Sequence, residues 1–198
     1  MVSGEFERYG PRVLADPRLS VGGQLTRTAV TMFVDIAGFT TLSERLAQLG
    51  TAGTEQLGVI LRRALGGGMD AVAAAGGDTL SFGGDAIVAA FPGGDESAWE
   101  RAHRVGEQIV ALVGSLNGTD TLIGPLALSV KVGIASGAVT SLVSSSGERS
   151  TVVHLGAGLD AAVAAEEEAT PGTIVVRRAD GVGEPDPLEE TAGPTATA

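Results

Sequence analysis

The chain contains no cysteine and few aromatic residues among its 198 residues. The absence of cysteine excludes disulfides, thiolate catalysis and thiolate-ligated zinc. Aromatic residues make up 4% of the sequence and hydrophobic residues 43%, so the core must be built from Ala, Val, Leu and Ile. No apolar run reaches the roughly 18 residues of a membrane-spanning helix, and the first residues lack a signal-peptide core. We therefore expect a cytoplasmic protein.

Basic residues are also scarce. Lys and Arg number 13 against 24 Asp and Glu, which gives a formal net charge of −11. Nucleic acid and anionic membranes find no basic face on such a chain, so we expect neither as a partner. A nucleotide remains compatible with this charge if metal ions bind between it and the protein, because the ions reverse the local sign.

The length of the chain fits one domain with short flanking segments. Residues 1–25 are mixed in polarity and punctuated by Gly and Pro, which predicts an N-terminal arm. Beyond residue 180 the composition shifts to Gly, Pro, Glu and Thr without an apolar period. This composition predicts an acidic linker or tail over 181–198 and leaves the folded domain over 26–180.

Apolar periodicity and turn residues predict the order of elements within this domain. A strand over about 28–36 precedes a helix that Thr40 or Thr41 can cap, with Glu44 completing a capping box with Thr41, and a second helix begins near Thr54. The sequence leaves open whether that second helix breaks at Gly66-Gly67-Gly68 or packs its backbone closely there. The remaining expected elements are a hairpin over 78–91, a helix over 95–116, strands over 126–135, 139–143 and 151–154, a helix over 157–168, and a strand over 173–176.

This order predicts an α+β fold. We expect a ferredoxin-like α/β sandwich in which helices cover one face of a mainly antiparallel sheet.

Two aspartates stand where a carboxylate is costly. Asp35 ends the apolar run 29–34, and Asp85 lies in the Gly-Gly-Asp turn that precedes the apolar run 86–91. A carboxylate at the end of a buried strand must be hydrogen-bonded, paired or bound to a metal. Two of them at strand ends favour a shared cation site, and Mg²⁺ prefers such oxygen ligands.

The motifs around these aspartates resemble those of class III nucleotide cyclase catalytic domains. Residues 33–40 (FVDIAGFT) and 83–86 (GGDA) carry most of the resemblance, and residues 130–137 (VKVGIASG) add to it. The similarity covers about 28–177. Within this family the chain resembles in particular the first catalytic half of the bicarbonate-responsive soluble adenylyl cyclase type and its bacterial relatives.

The resemblance implies conversion of ATP to cyclic AMP and pyrophosphate with two Mg²⁺ or Mn²⁺ ions. Two catalytic halves pair head to tail in this family and bind ATP between them, so the expected partner is a second cyclase catalytic domain or a second copy of the chain. Asp35 and Asp85 would hold the metals, together with the backbone carbonyl of Ile36. The phosphate-binding amides at the start of the following helix would be those of Ala37, Gly38, Phe39 and Thr40.

Several positions depart from the family pattern. The Lys that precedes the second metal aspartate is Ser81 here, and the base-reading residue is Val153. The transition-state Asn and Arg correspond to Asp160 and Ala164. In the bicarbonate-responsive relative the same Lys and an Arg, here Val163, form the anion site. We therefore expect the chain to form the metal-bearing half of a paired active site. Its cyclase activity should be weak or absent without a complementary domain, and bicarbonate should not stimulate it.

Plainer roles fit some of these residues. Asp35 alone could cap the next helix and Asp85 alone could be a turn residue, whereas the pair favours a cation site. Lys131 could be a phosphate contact, but a lone Lys on a strand is more often a solvated residue, and the sequence favours that role. The run Glu166-Glu167-Glu168 is expected to be a solvated face.

Two other functions compete with the cyclase reading. A cyclase-homology module that binds nucleotide or a partner domain, and regulates signalling without turnover, is motivated by the departures at Ser81, Val153, Asp160 and Ala164. A diguanylate cyclase is disfavoured, because its Gly-Gly-Asp signature continues with an acidic residue where this chain has Ala86.

Overall fold

The computed structural model describes residues 22–146 and 149–178. Most of the expected N-terminal arm and the whole of the expected tail lie outside these ranges. The elements are β1 (Gln24–Ala37), α1 (Phe39–Ala47), α2 (Thr51–Leu61), a π-helical segment (Arg62–Gly66), α3 (Gly67–Ala74), β2 (Asp78–Gly83), β3 (Ala86–Pro92), α4 (Glu96–Leu116), β4 (Asp120–Thr121), β5 (Gly124–Pro125), β6 (Ser129–Ser146), β7 (Arg149–Leu155), α5 (Ala157–Glu168) and β8 (Ile174–Arg177).

The main sheet has the strand order β2-β3-β1-β6-β7, and β8 pairs with the first half of β6. All of these pairings are antiparallel except β6 with β8. The sheet and its helices confirm the expected α+β class. Because β1 is central, with β3 on one side and β6 on the other, its C-terminal end is the point where three strands bring their side chains together.

Alternate residues of β1 face opposite sides of the sheet. Val30, Met32 and Val34 are buried in the main core together with apolar residues of α4 such as Val105 and Ile109. The intervening residues face α5, where the Thr31 hydroxyl donates to the Gly158 carbonyl at 2.6 Å. Helices therefore lie on both faces of the sheet rather than on one as expected. Within the described residues no helix is long and apolar enough to cross a membrane.

One strand replaces the two that were expected over 126–143. β6 runs without interruption from Ser129 to Ser146. The Ser136-Gly137 pair resembles a turn in the sequence, but Gly137 serves a packing role. A Cβ there would lie 2.7 Å from the backbone nitrogen of Gly158, so the strand continues past a site of close contact with α5.

The start of α1 also differs from expectation. The helix begins at Phe39, not at a capping box of Thr41 and Glu44, and its N-cap residue is Gly38 without a side-chain cap hydrogen bond. Gly38 has a φ of 89°, which a glycine adopts readily. The chain must reverse sharply after β1, and this left-handed residue allows the helix to begin directly beside the strand end.

The glycine triplet does not break the second helix. α2 continues through the π-helical segment into α3, and both Gly67 and Gly68 pack closely. A Cβ on Gly67 would lie 2.6 Å from Leu112, and one on Gly68 would lie 2.8 Å from Ile87. The close-packing alternative is therefore correct, against α4 as well as against the sheet.

Candidate functional site

The structure brings Asp35 and Asp85 to one point at the end of β1. Asp35 is the Cα partner of Ala86 in the β1–β3 ladder, so it lies directly beside the turn that carries Asp85. The Ile36 amide donates to the Asp85 carbonyl at 3.0 Å, which fixes the two backbones to each other. Both aspartates are half-buried. The fold thus brings together two carboxylates that are separated by 49 residues of sequence.

The Asp35 carboxyl is in an environment that opposes its ionisation. Burial raises the pKa of Asp35 above its ordinary value of 3.8, and the negative charges of Asp85 and then Glu166 raise it further, while Lys131 lowers it. In the metal-free site the ionised carboxylates therefore repel one another, and burial makes the charge on Asp35 less favourable still. A divalent cation held by these residues would reduce this repulsion, because it would supply the positive charge that the site lacks.

Replacement of Asp35 by asparagine is expected to stabilise the metal-free domain. The folded-state pKa exceeds the unfolded one, so this group contributes stability below pH 3.8 that is lost as the pH rises through the raised value. At neutral pH the variant should melt about 1–3 °C above the wild type. Thermal unfolding in chelator checks this. The difference should shrink as the pH is lowered towards 3.8, and a lower melting temperature at neutral pH would contradict the account.

The start of α1 supplies hydrogen-bond donors next to the aspartates. The first hydrogen bond of α1 runs from the Leu42 amide to the Gly38 carbonyl. The amides of Phe39 and Thr40 therefore lie before the first intrahelical hydrogen bond. Phe39 is buried and anchors this turn in the core. A helix N-terminus with free amides favours a bound anion such as a phosphate. The predicted residues 36–40 therefore lie within one backbone turn of Asp35.

Lys131 lies opposite Asp35, but it is not a solvated strand residue. The two residues are Cα partners in the β1–β6 ladder. The Lys131 ammonium donates to the Glu166 carboxylate at 2.7 Å, and the exposed fractions of the two side chains are 23% and 9%. The expectation that residues 166–168 form a solvated face is therefore wrong for Glu166.

Helical spacing was the signal that could have found Glu166. The buried residues of α5 are Gly158, Ala162, Ala165 and Glu166, so Glu166 continues the buried stripe four residues after Ala162. Glu167 and Glu168 fall on the exposed side. The run of three like charges hides this difference in the sequence, because a charge run is typical of a solvated surface.

The donor set fits a cation that is shared with a substrate. Within residues 22–146 and 149–178, no group of three or more His, Cys, Asp or Glu side chains is arranged to hold a metal. Mg²⁺ is typically bound by one or two carboxylates together with substrate phosphates and waters rather than by an all-protein cage. Asp35 and Asp85 supply that kind of incomplete set.

A cavity of about 340 Å³ opens on the α5 face of the sheet. Its lining is mostly apolar and includes three of the positions that depart from the family pattern, namely Ser81, Val153 and Val163. Val153, in this lining, is about half exposed, as are Phe82 in β2 and Leu155 in β7. Asp160 is also exposed on α5. A larger groove of about 500 Å³ lies along α4 and contains none of the predicted site residues.

Comparisons with known proteins identify relatives of this chain. Adenylate cyclase type 10 of the rabbit, Oryctolagus cuniculus, is 30% identical over 156 residues, which cover 74% of this chain and 9% of that protein. The chain thus spans less than a tenth of the length of the curated relatives it matches. No protein-family model matches the sequence.

Solved structures of cyclases share the fold. The guanylyl cyclase Cya2 superposes with a TM-score of 0.65 and 25% identity, over 78% of this chain and 76% of that one. The adenylyl cyclase CyaB from P. aeruginosa superposes with a TM-score of 0.63 and 21% identity, over 77% of this chain and 78% of that one. Structures of both adenylyl and guanylyl cyclases are therefore among the matches.

Proposed function

Because the chain is a homologue of adenylate cyclase type 10 with the fold of class III nucleotide cyclase catalytic domains, we propose that it forms the metal-bearing half of an adenylate cyclase active site. The reaction is the conversion of ATP to cyclic AMP and pyrophosphate. The observation that carries this proposal is the convergence of Asp35 and Asp85 at the end of β1, where the Ile36 amide joins the two segments.

The residues of this chain hold and orient the reactants. Asp35, Asp85 and the Ile36 carbonyl would hold two Mg²⁺ or Mn²⁺ ions. When bound, such ions supply Lewis-acid activation of the ribose 3′-hydroxyl and stabilise charge on the leaving pyrophosphate. The ribose 3′ oxygen forms a bond to the α-phosphorus, the bond from that phosphorus to the β-phosphate bridging oxygen breaks, and the hydroxyl proton leaves to solvent.

The phosphate chain lies along the start of α1 in this proposal. The amides of Ala37, Gly38, Phe39 and Thr40 donate hydrogen bonds to the polyphosphate oxygens, and the left-handed Gly38 turns these amides towards the strand end. Lys131 adds a nearby positive charge for the same oxygens, since it lies directly across the ladder from Asp35. These contacts position the triphosphate without any basic surface, in keeping with the net charge of the chain.

A second catalytic domain is needed to complete the site. Val153 cannot hydrogen-bond to a base, and Asp160 and Ala164 cannot replace an Asn and an Arg that stabilise transition-state charge. The exposed apolar side chains of Phe82 and Leu155 would contribute to the surface that pairs with such a domain. A partner domain would supply the base reader and the Arg, whereas a homodimer would hold metals and lack both.

The test is a cyclase assay of the chain alone and mixed with the second catalytic half of a soluble adenylyl cyclase. ATP and GTP are supplied separately with Mn²⁺, and products are identified by mass spectrometry. We expect cyclic AMP from the mixture, little from the chain alone, and less cyclic GMP than cyclic AMP. The proposal fails if neither condition exceeds an Asp35→Ala control.

A regulatory module without turnover is the second candidate. The observation that favours it is the loss of charge and hydrogen-bonding groups at Ser81, Val153 and Ala164, while both metal aspartates are retained. It predicts metal-dependent ATP binding in the presence of a competent partner, with no cyclic nucleotide formed. Equilibrium binding and the product assay on the same mixture separate the two functions.

We expect bicarbonate to leave the rate unchanged. Ser81 and Val163 line one cavity, and neither carries the positive charge that would bind a small anion there. The measurement is the initial rate of the paired domain with and without bicarbonate at fixed pH and ionic strength. A matched Ser81→Lys/Val163→Arg double variant should gain a response, and stimulation of the unmodified chain would contradict this prediction.

A further inference from the structure

Lys131 does not pair with the carboxylate directly across from it. Asp35 and Lys131 are Cα partners in an antiparallel ladder, where such residues are about 4.5–5.5 Å apart. Opposite charges at facing positions normally pair across the strands. The ion pair within 4 Å that the structure gives Lys131 is instead with Glu166. All three residues lie within the described part of the chain.

The position of Glu166 is fixed by the packing of α5 on the sheet. A Cβ on Gly133 would lie 2.1 Å from the Ala162 carbonyl oxygen and 2.3 Å from the Glu166 nitrogen, so the helix backbone touches β6 at this point. Gly133 is two residues along the strand from Lys131 and therefore on the same face. The Glu166 side chain is itself 9% exposed and accepts from Lys131. Glu166 thus offers Lys131 a hydrogen-bond acceptor whose position is fixed by the packing of α5 on the sheet.

We propose that Glu166 is a positioning residue that holds the Lys131 ammonium away from Asp35, so that the Asp35 carboxylate remains free for a divalent cation. The inference rests on the cation site of the proposed function and adds a residue that acts on it through Lys131. Glu166 is not itself a third metal ligand, because the described residues contain no group of three such side chains arranged to hold an ion.

Loss of the Glu166 charge should redirect Lys131. An ammonium that loses an ionised partner in a partly buried site pairs with the nearest remaining carboxylate. That carboxylate is Asp35, directly across the ladder. The ammonium would then compete with the metal for the same oxygens. The effect of Glu166 on metal affinity must therefore depend on the presence of Lys131.

A double-mutant cycle measures this dependence. Mn²⁺ affinity is determined by electron paramagnetic resonance of free Mn²⁺ for the wild type, Glu166→Gln, Lys131→Met and the double variant. We expect Glu166→Gln to weaken Mn²⁺ binding about tenfold when Lys131 is present, and less than about threefold when it is methionine. If Glu166→Gln weakens Mn²⁺ binding by the same factor with Lys131 and with methionine at position 131, Glu166 acts only through its own charge. That result would overturn the proposal.

Further variants serve as controls for the loss of charge, for the site of binding and for folding. Glu167→Gln removes the same charge from the next, exposed residue of α5 and should leave Mn²⁺ affinity unchanged. Asp35→Ala should abolish the binding and assign it to this site. If thermal unfolding shows that Glu166→Gln is not folded, Glu166→Met, of similar volume, replaces it in the cycle.

The failure of this inference differs from the failure of the proposed function. Mn²⁺ binding with the expected coupling but without cyclic nucleotide would leave the inference intact and reject the cyclase. Cyclase activity with equal factors in the cycle would reject the inference alone. Absence of Mn²⁺ binding by the wild type would overturn the inference, because there would be no cation site to keep free.

Discussion

Replacing either Asp35 or Asp85 by asparagine will lower the rate of cyclic AMP formation by the paired domain about 100-fold or more. Each carboxylate is one of two that converge at the end of β1, and the site has no third acidic ligand within the described residues to compensate. A metal that polarises the reacting oxygens lowers the barrier by several kcal/mol, and about 1.4 kcal/mol corresponds to a factor of ten. Initial rates at saturating ATP and Mn²⁺ provide the measurement.

The matched control for this prediction is Asp120→Asn. Asp120 is an exposed carboxylate in β4, outside the β1 site, so its neutralisation makes the same change in net charge. It should retain the wild-type rate. Retention of activity by Asp35→Asn, with its fold intact, would show that the two aspartates do not hold the catalytic metals.

Replacing Gly133 by alanine will destabilise the domain by about 3–5 kcal/mol, which lowers its melting temperature by about 10 °C. The added Cβ would lie 2.1 Å from the Ala162 carbonyl oxygen and 2.3 Å from the Glu166 nitrogen. Both neighbours are backbone atoms, so a rotamer change cannot relieve the overlap and α5 must move off the sheet. Thermal and urea unfolding by circular dichroism measure the loss.

Gly114→Ala is the matched control for the glycine substitution. Gly114 is exposed in α4, and a Cβ there would meet nothing within 4 Å. Alanine stabilises a helix interior by up to about 1 kcal/mol relative to glycine. This variant should therefore melt at or above the wild-type temperature. Equal destabilisation by both substitutions would show that the contact between β6 and α5 is not the cause.

The sequence predicts the parts of the fold that depend on local pattern. The hairpin of β2 and β3, the amphipathic α4 and the helix over 157–168 follow from periodicity and turn residues, and the structure has them with similar bounds. The proximity of Asp35 and Asp85 follows from their positions at strand ends. The hairpin and the two helices are predictable because each depends on residues that are close to one another in the sequence.

The remaining features depend on contacts between distant segments. Gly137 is typical of a turn in the sequence, but in the fold a Cβ at this position would lie 2.7 Å from the backbone of α5. Gly38 takes the place of a side-chain cap because the chain reverses beside β1. Glu166 looks like one of three surface acids until the helix is placed over Lys131. Close approach of backbones leaves no periodic signal in the sequence, and the helical spacing that puts Glu166 on the buried side of α5 does not identify its partner.

The most direct test of the central claim is a complementation assay. This chain is mixed in equal amounts with a class III catalytic domain that carries the base-reading Lys, the Asn and the Arg, but whose own metal aspartates are replaced by asparagine. Neither component should form cyclic AMP alone, and the mixture should form it in a way that requires Asp35. A mixture that is inactive, or equally active with the Asp35→Ala chain, would contradict the claim that this chain supplies the metal-bearing half of the site.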